Sequence, residues 1–178
     1  MGDTVTENAL MAAAGREEET TIEFASANYM VQDVCFFLQK LGVKIDGVGT
    51  STLRVRGVKN IKKNVVYAPA EDPIEAMFFI AAAVTTNSEI TIERVPIAFV
   101  TLELLKLKKM GLRYDITQRY MAANGKTELV NLHIQKHNGE LRALIDKIHS
   151  LPYPGINTDN LPYFVPMSAR SSPLCFWM

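Results

Sequence analysis

A carboxylate in a stiff loop is the first feature of this sequence able to do chemistry. In Tyr153-Pro154-Gly155-Ile156-Asn157-Thr158-Asp159-Asn160-Leu161-Pro162, prolines and a glycine restrict the backbone and deliver Thr158 and Asp159 to an expected helix start. Two readings of Asp159 compete. As an N-cap it accepts orphan amide protons of the first turn, worth about 1 kcal/mol. As a general base or clamp it would take a proton from a substrate hydroxyl. Local chemistry favours the cap, because caps are the commoner use, and the two roles are compatible.

Other reactive side chains are weaker candidates. His133 and His137 are four apart, a metal-binding spacing on a helix, but they fall in an expected strand and the loop after it, and read as surface histidines. Lys106, Lys108, Lys109 and Arg113 alternate with Leu107 and Met110, which describes the wet side of an amphipathic helix. Gly47 and Gly49 read as a hairpin turn and not as a phosphate cradle, because no helix follows them. Cys35 lies on an apolar helix face and reads as a buried thiol; with Cys175 it makes no disulfide framework. No metal or cofactor is expected.

The elements that must position these groups follow from periodicity. A helix is expected over Asp3 to Ala14, capped by Asp3 or Thr4, then a strand at Thr20 to Phe24. A second helix over Tyr29 to Leu41, capped by Ser26 or Asn28, stops at Gly42. Short strands at Val43 to Ile45 and Thr52 to Arg56 flank the Gly47–Gly49 turn, and Val65 to Tyr67 reads as another. Asp72, Pro73 and Glu75 form an N-cap, N1 and N3 signature for a helix over Ile74 to Val84. There follow a strand at Glu89 to Glu93, a helix at Ile97 to Met110 closed by Gly111, and strands at Leu112 to Ile116, Tyr120 to Ala122 and Leu129 to Gln135.

The pattern repeats. Thr21-Ile22-Glu23 overlies Thr91-Ile92-Glu93, Leu41-Gly42 overlies Met110-Gly111, and Glu7 to Ala14 overlies Glu75 to Ala82. The period is roughly 70 residues. Each unit reads helix, strand, helix, strand, strand, strand, and a third begins at Asp159. One such unit cannot bury its helices alone, so several must pack together.

The 178 residues, 48% of them hydrophobic, suffice for one sizeable core or two small ones. Nineteen basic residues balance nineteen acidic ones, which leaves no net field for nucleic acid or an anionic membrane. No apolar run approaches the ~20 residues of a membrane helix, and Met1 is followed by no signal pattern. A cytoplasmic protein is expected.

The run Pro152 to Leu161 resembles the P-Y-P-G-F-P-T-D-L/M-Q loop of the UDP-N-acetylglucosamine 1-carboxyvinyltransferase family of enolpyruvyl transferases. Gly2-Asp3-Thr4-Val5-Thr6 resembles the family's G-A-T-x-x segment, and Gly42 to Gly57 its L-G-A-K-I-x-G-x-G-T-x-x-I-x-I-x-G segment, in family order. The resemblance covers Gly2 to Met167. It implies an α/β (α+β) fold of repeated βαβαββ units in an inside-out α/β barrel, here incomplete. It implies the end of a first domain over 1–70, the start of a second over 71–167 and an aberrant tail over 168–178. The implied reaction transfers the enolpyruvyl group of phosphoenolpyruvate to the 3-hydroxyl of UDP-N-acetylglucosamine, in peptidoglycan precursor synthesis. Asp159 would be the base, and Thr158 and Asn160 would touch the uridine or sugar while mainly shaping the loop.

Departures from the family are equally legible. Its D-R-I-E motif reads Asp72-Pro73-Ile74-Glu75, without the arginine, and its A-R-E-P-E segment reads Ser26-Ala27-Asn28-Tyr29-Met30. The hairpin from Asn138 to Ile148 reads as longer than the family's. The family's Lys-Asn pair and cysteine loop lie upstream of the matched region. The expectation is therefore a truncated or frame-shifted gene product, inactive alone, with another chain needed to complete fold and site. The alternatives are a non-catalytic fragment or sugar-nucleotide-binding module and the sister class acting on shikimate 3-phosphate, the latter disfavoured by the Pro-Tyr-Pro-Gly loop. An RNA-end-processing protein of related architecture is more distant still.

Overall fold

A computed structural model describes residues 2–137, 141–142, 148–169 and the backbone of 171–172. The chain divides into two compact units, Met1–Pro69 with Pro152–Pro154 and Ala70–Leu151 with Gly155–Met178.

In the first unit, α1 (Asp3–Ala14) is followed by β1 (Glu19–Glu23), α2 (Tyr29–Leu41), β2 (Lys44–Asp46) and β3 (Thr52–Arg56). The antiparallel sheet has the order β1-β3-β2. Its buried side chains alternate along β3, Leu53 and Val55 facing inward, as a half-buried strand requires. Helix α2 contributes Val31, Cys35 and Leu38, spaced on one face, and α1 contributes Leu10, Ala13 and Ala14 to the same core. Asn28 caps α2, its side chain accepting the amide proton of Tyr29, and Gly42 ends the helix at φ 106°. The β2–β3 turn needs Gly47, at φ 84°, because a side chain there would collide with the carbonyl of Thr52.

The second unit repeats this plan. Helix α3 (Pro73–Thr86) leads into β4 (Ile90–Pro96), a 3-10 turn at Ile97–Phe99, α4 (Thr101–Met110), β5 (Tyr114–Met121) and β6 (Glu128–Ile134). The antiparallel sheet order β4-β6-β5 matches that of the first unit. Asp72 caps α3 by accepting the Ile74 amide proton, with Pro73 in the first turn. Gly111 closes α4 at φ 107°, the counterpart of Gly42. Met77, Ile80, Leu104, Leu107, Leu132 and Ile134 are fully enclosed in its core; burying one such side chain favours folding by roughly 1.5–3 kcal/mol. Helix α5 (Leu161–Ser168) packs on α3, placing Phe164 and Met167 in this core. A short parallel pair, β7 (Leu141–Arg142) with β8 (Ser171–Ser172), follows.

The mixed helix-and-sheet repeat agrees with the expected fold class, and several local expectations are corrected. Val65 to Tyr67 forms no strand: Tyr67 turns its ring onto Phe37 and its hydroxyl to Asp33. Leu112 to Ala122 holds one strand, β5, kinked where its register with β6 shifts between Ile116 and Gln118. Among the described residues, two strands follow the second helix of the first unit, one fewer than expected, and in the second unit the two strands expected over Leu112 to Ala122 are the single strand β5. Asp3 and Thr4 do not cap α1; Gly2 holds the cap position, and Asp3 instead accepts hydrogen bonds from Ser26 Oγ and Asn28 Nδ2. The expected helix from Ile97 starts four residues late because Val100, at φ −127°, interrupts it. The expected longer hairpin at 138–148 and Cys175 lie outside the described residues, apart from Leu141, Arg142 and Ile148. Among the described residues no helix is long and apolar enough to cross a membrane.

Candidate functional site around Asp159

The turn carrying Asp159 is built from its interior outward. Ile156 is buried in the core of the second unit and its carbonyl accepts the Leu151 amide proton at 3.1 Å. Gly155 passes so close to the Leu151 backbone that a side chain there would collide with it. Asn157 then starts a 3-10 turn, Thr158–Asn160, that runs directly into α5. Its Oδ1 accepts the Asp159 amide proton at 3.0 Å and its carbonyl accepts that of Asn160 at 3.0 Å.

Asn157, therefore, and not Asp159, is the cap. The physical reason is position: an N-cap side chain must precede the amides it satisfies, and Asp159 already lies inside the turn. Its side chain is exposed, and among the described residues its carboxylate has no hydrogen-bond or ion-pair partner. A fixed backbone thus presents a free carboxylate to solvent, an arrangement suited to accepting a proton from, or hydrogen-bonding, a hydroxyl brought to it.

The neighbours expected to share the site behave differently from one another. Thr158 is exposed beside Asp159. Asn160 is not surface: it is 0% exposed, and its Nδ2 donates to Glu103 Oε1 at 2.9 Å. The expectation that Asn160 touches a sugar nucleotide is corrected on this ground, since its amide is turned into the interior.

A cavity of about 430 Å³ lies in the second unit between the start of α3 and strand β4, lined among others by Glu71, Asp72, Glu75, Phe79, Glu93 and Arg94. Arg94 and Glu71, both in its lining, form an ion pair. None of Thr158, Asp159 and Asn160 lines this cavity. We place the candidate site at Asp159 and not in the cavity, because Asp159 lies in the loop whose resemblance assigns a base, whereas the motif that reaches the cavity, Asp72-Pro73-Ile74-Glu75, lacks its arginine and spends Asp72 on capping α3.

The remaining candidates divide. His133 stands on β6, bonded to Thr91 Oγ1 at 3.1 Å and facing Glu89 at 3.2 Å. His137 is buried, contrary to the surface expectation: its amide donates to Asn87 Oδ1 and its ring approaches the Val84 carbonyl. Among the described residues no three His, Cys, Asp or Glu side chains converge as metal ligands. Lys108, Lys109 and Arg113 are exposed and Lys106 half-buried, the wet side of α4 as read. Cys35 is buried and free, and burial pushes its thiol from 9.0 up to about 12, an unreactive state.

Two groups escaped the sequence reading. Glu103 is 2% exposed; the signal was available, because it stands four and seven residues before Leu107 and Met110 on the buried stripe of α4. The Asp3, Ser26 and Asn28 network, with Ser26 N donating to Thr6 Oγ1 at 3.0 Å, joins residues about 25 apart and carried no local signal.

Comparisons with known proteins bear on what this geometry serves. Residues 2–169 match the family model described as EPSP synthase (3-phosphoshikimate 1-carboxyvinyltransferase). The chain is 33% identical over 154 residues to UDP-N-acetylglucosamine 1-carboxyvinyltransferase 2 of Clostridium tetani, covering 86% of this chain and 33% of that protein. It is 36% identical over 154 residues to the protein of the same name from Carboxydothermus hydrogenoformans, covering 86% and 34%. In fold it is similar to the enolpyruvyl transferase NikO from Streptomyces tendae, with a TM-score of 0.74 at 20% identity, covering 95% of this chain and 37% of that one. The chain spans about a third of the length of the curated relatives it matches.

Proposed function

The chain belongs to the EPSP synthase (3-phosphoshikimate 1-carboxyvinyltransferase) family, and from that premise we propose that it carries the acceptor-side part of an enolpyruvyl transferase acting on UDP-N-acetylglucosamine and phosphoenolpyruvate. The 3-hydroxyl of the sugar attacks the central carbon of phosphoenolpyruvate as the terminal methylene carbon takes up a proton, giving a tetrahedral intermediate; phosphate then leaves from the central carbon and the new methyl group loses a proton, which restores the double bond as the enol ether. Asp159 takes the hydroxyl proton, a role worth roughly 100- to 10,000-fold in rate. The observation that carries this reading is the free carboxylate of Asp159 on a turn whose cap is supplied by another residue. Relatives named for this sugar nucleotide support the choice of acceptor. On this reading Thr158 is the second residue to meet the substrate, which its exposure beside Asp159 supports.

On this reading the first compact unit is the end of one enolpyruvyl transferase domain and the second is the start of the next, with further chain, in cis or as a partner, supplying the rest of the site. The protein works in the cytoplasm at an early step of peptidoglycan synthesis, and so serves cell-wall growth and division. A second reading, a non-catalytic module that binds the sugar nucleotide, is favoured by Pro73, which stands where the resembling motif has an arginine, and by Ser26 and Asn28, which are spent on Asp3.

Isothermal titration tests both readings. Wild type should bind UDP-N-acetylglucosamine, and Asp159→Ala should weaken that at least about tenfold with an unchanged circular dichroism spectrum. Absence of heat with a well-folded wild type would overturn the acceptor-site assignment. Preferential binding of shikimate 3-phosphate would move the chain to the sister reaction. Sugar-nucleotide binding that Asp159→Ala leaves intact would leave only the binding-module reading.

A further inference from the structure

We propose that Glu103 is a positioning residue for Asp159, acting through Asn160 to hold the Thr158–Asn160 turn in register; the functional consequence, though not the positioning itself, rests on the acceptor-site reading above. Three observations carry it. First, Glu103 and Asn160 are both fully buried, at 2% and 0% exposed, and face each other as carboxyl oxygen and amide nitrogen at 2.9 Å across 57 residues of sequence. Second, Asn160 is the residue directly after Asp159, so whatever fixes its side chain fixes the base one peptide away. Third, among the described residues the other hydrogen bonds of the turn are short-range: Asp159 N to Asn157 Oδ1, Asn160 N to Asn157 O, and Leu161 N to Thr158 O.

Short-range bonds of this kind close a turn without fixing it to the body of the fold. The Glu103 contact does the latter, tying the turn to α4, an element already locked into the core by Leu104, Leu107 and Met110. The pair is also a poor choice for stability alone. A buried amide and carboxyl must each lose water, and among the described residues the buried Asn160 Oδ1 has no partner, whereas two apolar side chains would fill the same place without that cost. What a hydrogen bond supplies and apolar packing does not is direction. The resembling family loop has Leu or Met at the place of Asn160, so this brace belongs to the present chain and not to the shared motif.

Amide hydrogen exchange on the whole chain, read residue by residue, tests the positioning, and titration with UDP-N-acetylglucosamine tests its consequence. Glu103→Gln keeps a carbonyl acceptor for Asn160, and Glu103→Leu removes it; the Glu103→Leu/Asn160→Leu double variant replaces the brace with an apolar contact. In Glu103→Leu the amides of Asp159, Asn160 and Leu161 should exchange at least about tenfold faster, while those of β4, β5 and β6 keep their wild-type rates. Glu103→Gln should behave as wild type. The double variant should fold at least as stably as Glu103→Leu yet keep fast exchange in the turn. Unchanged turn amides in Glu103→Leu, or acceleration spread evenly over the second unit, would overturn the proposal. Sugar-nucleotide binding should weaken in Glu103→Leu and in the double variant and persist in Glu103→Gln. If wild type binds no sugar nucleotide, the acceptor-site reading fails while the exchange rates still decide the positioning.

Discussion

Two side chains two residues apart, Asn157 and Asp159, divide the work of one turn. Asn157 closes it and Asp159 faces solvent. Their substitutions should therefore separate stability from binding. Asn157→Ala removes a cap and should lower unfolding free energy by about 1 kcal/mol, while Asp159→Ala should change it by less than about 0.5 kcal/mol; denaturant titration of both checks this. Cys35 offers a pH test at the same scale. Burial holds its thiol neutral, up to about 12 against an ordinary 9.0. The unfolded chain ionises first, so the thiol's contribution to stability is fully present below about pH 9 and is lost as pH rises toward 12. Cys35→Ala should flatten that part of the alkaline stability profile. In a Cys175→Ser background, a thiol reagent at pH 8 should label Cys35 no faster than the chain opens.

Among the elements, the two repeats share a device at the same place in each unit. Phe24 directly follows β1 at φ 56°, and Arg94, seventy positions on, sits in β4 at φ 60°. Both are in the left-handed region, which costs a residue with a side chain roughly 1–2 kcal/mol. Arg94 has a return on that cost: its backbone amide donates to the Tyr120 hydroxyl and its guanidinium pairs with Glu71. Phe24 is 76% exposed, and among the described residues no side chain bonds to it as Tyr120 does to Arg94. Phe24→Asn should consequently raise stability by about 1 kcal/mol, whereas Arg94→Asn should gain less or nothing because it gives up the ion pair. Thermal unfolding of the two variants makes the comparison. Equal gains would mean that the Arg94 contacts contribute nothing.

At the scale of the whole molecule, each unit has its own hydrophobic core, one around Leu10, Cys35 and Val55 and the other around Met77, Leu107 and Leu132. Between the sheet of the first unit and α3 runs a stretch, 57–72, without helix or strand, in which Lys59, Lys62 and Lys63 are exposed. It is fastened by the Val58 amide on the Ala14 carbonyl, the Lys40 ammonium on the Val66 carbonyl, Tyr67 against Phe37 and Asp33, and Glu71 on Arg94, and Lys59 to Lys63 lie between the first two of these contacts. Limited trypsin digestion should cut first at Lys59 to Lys63, leaving fragments whose masses divide the chain near the boundary of its two units. A first cut inside α4, at Lys108 or Lys109, would show that this stretch is better protected than its exposure indicates.

The sequence by itself determined the repeat and most of its elements. Helices α1 and α2 and strand β3 fall on the expected residues, and Gly42, Gly111, Asn28 and Asp72 cap or stop helices as read, because capping and periodicity are local and act over a few residues. The family was legible for the same reason, its motifs being short contiguous runs. What only the tertiary structure decided lies in side chains whose partners are far away in the chain. Asp3 left its expected cap for Ser26 and Asn28. Tyr67 traded a strand for a ring contact with Phe37, His137 went inside, and Asn160 turned from the expected substrate surface to Glu103. A buried polar group must find a partner wherever the fold places one, and that place is set by packing across tens of residues, which spacing along the chain does not encode.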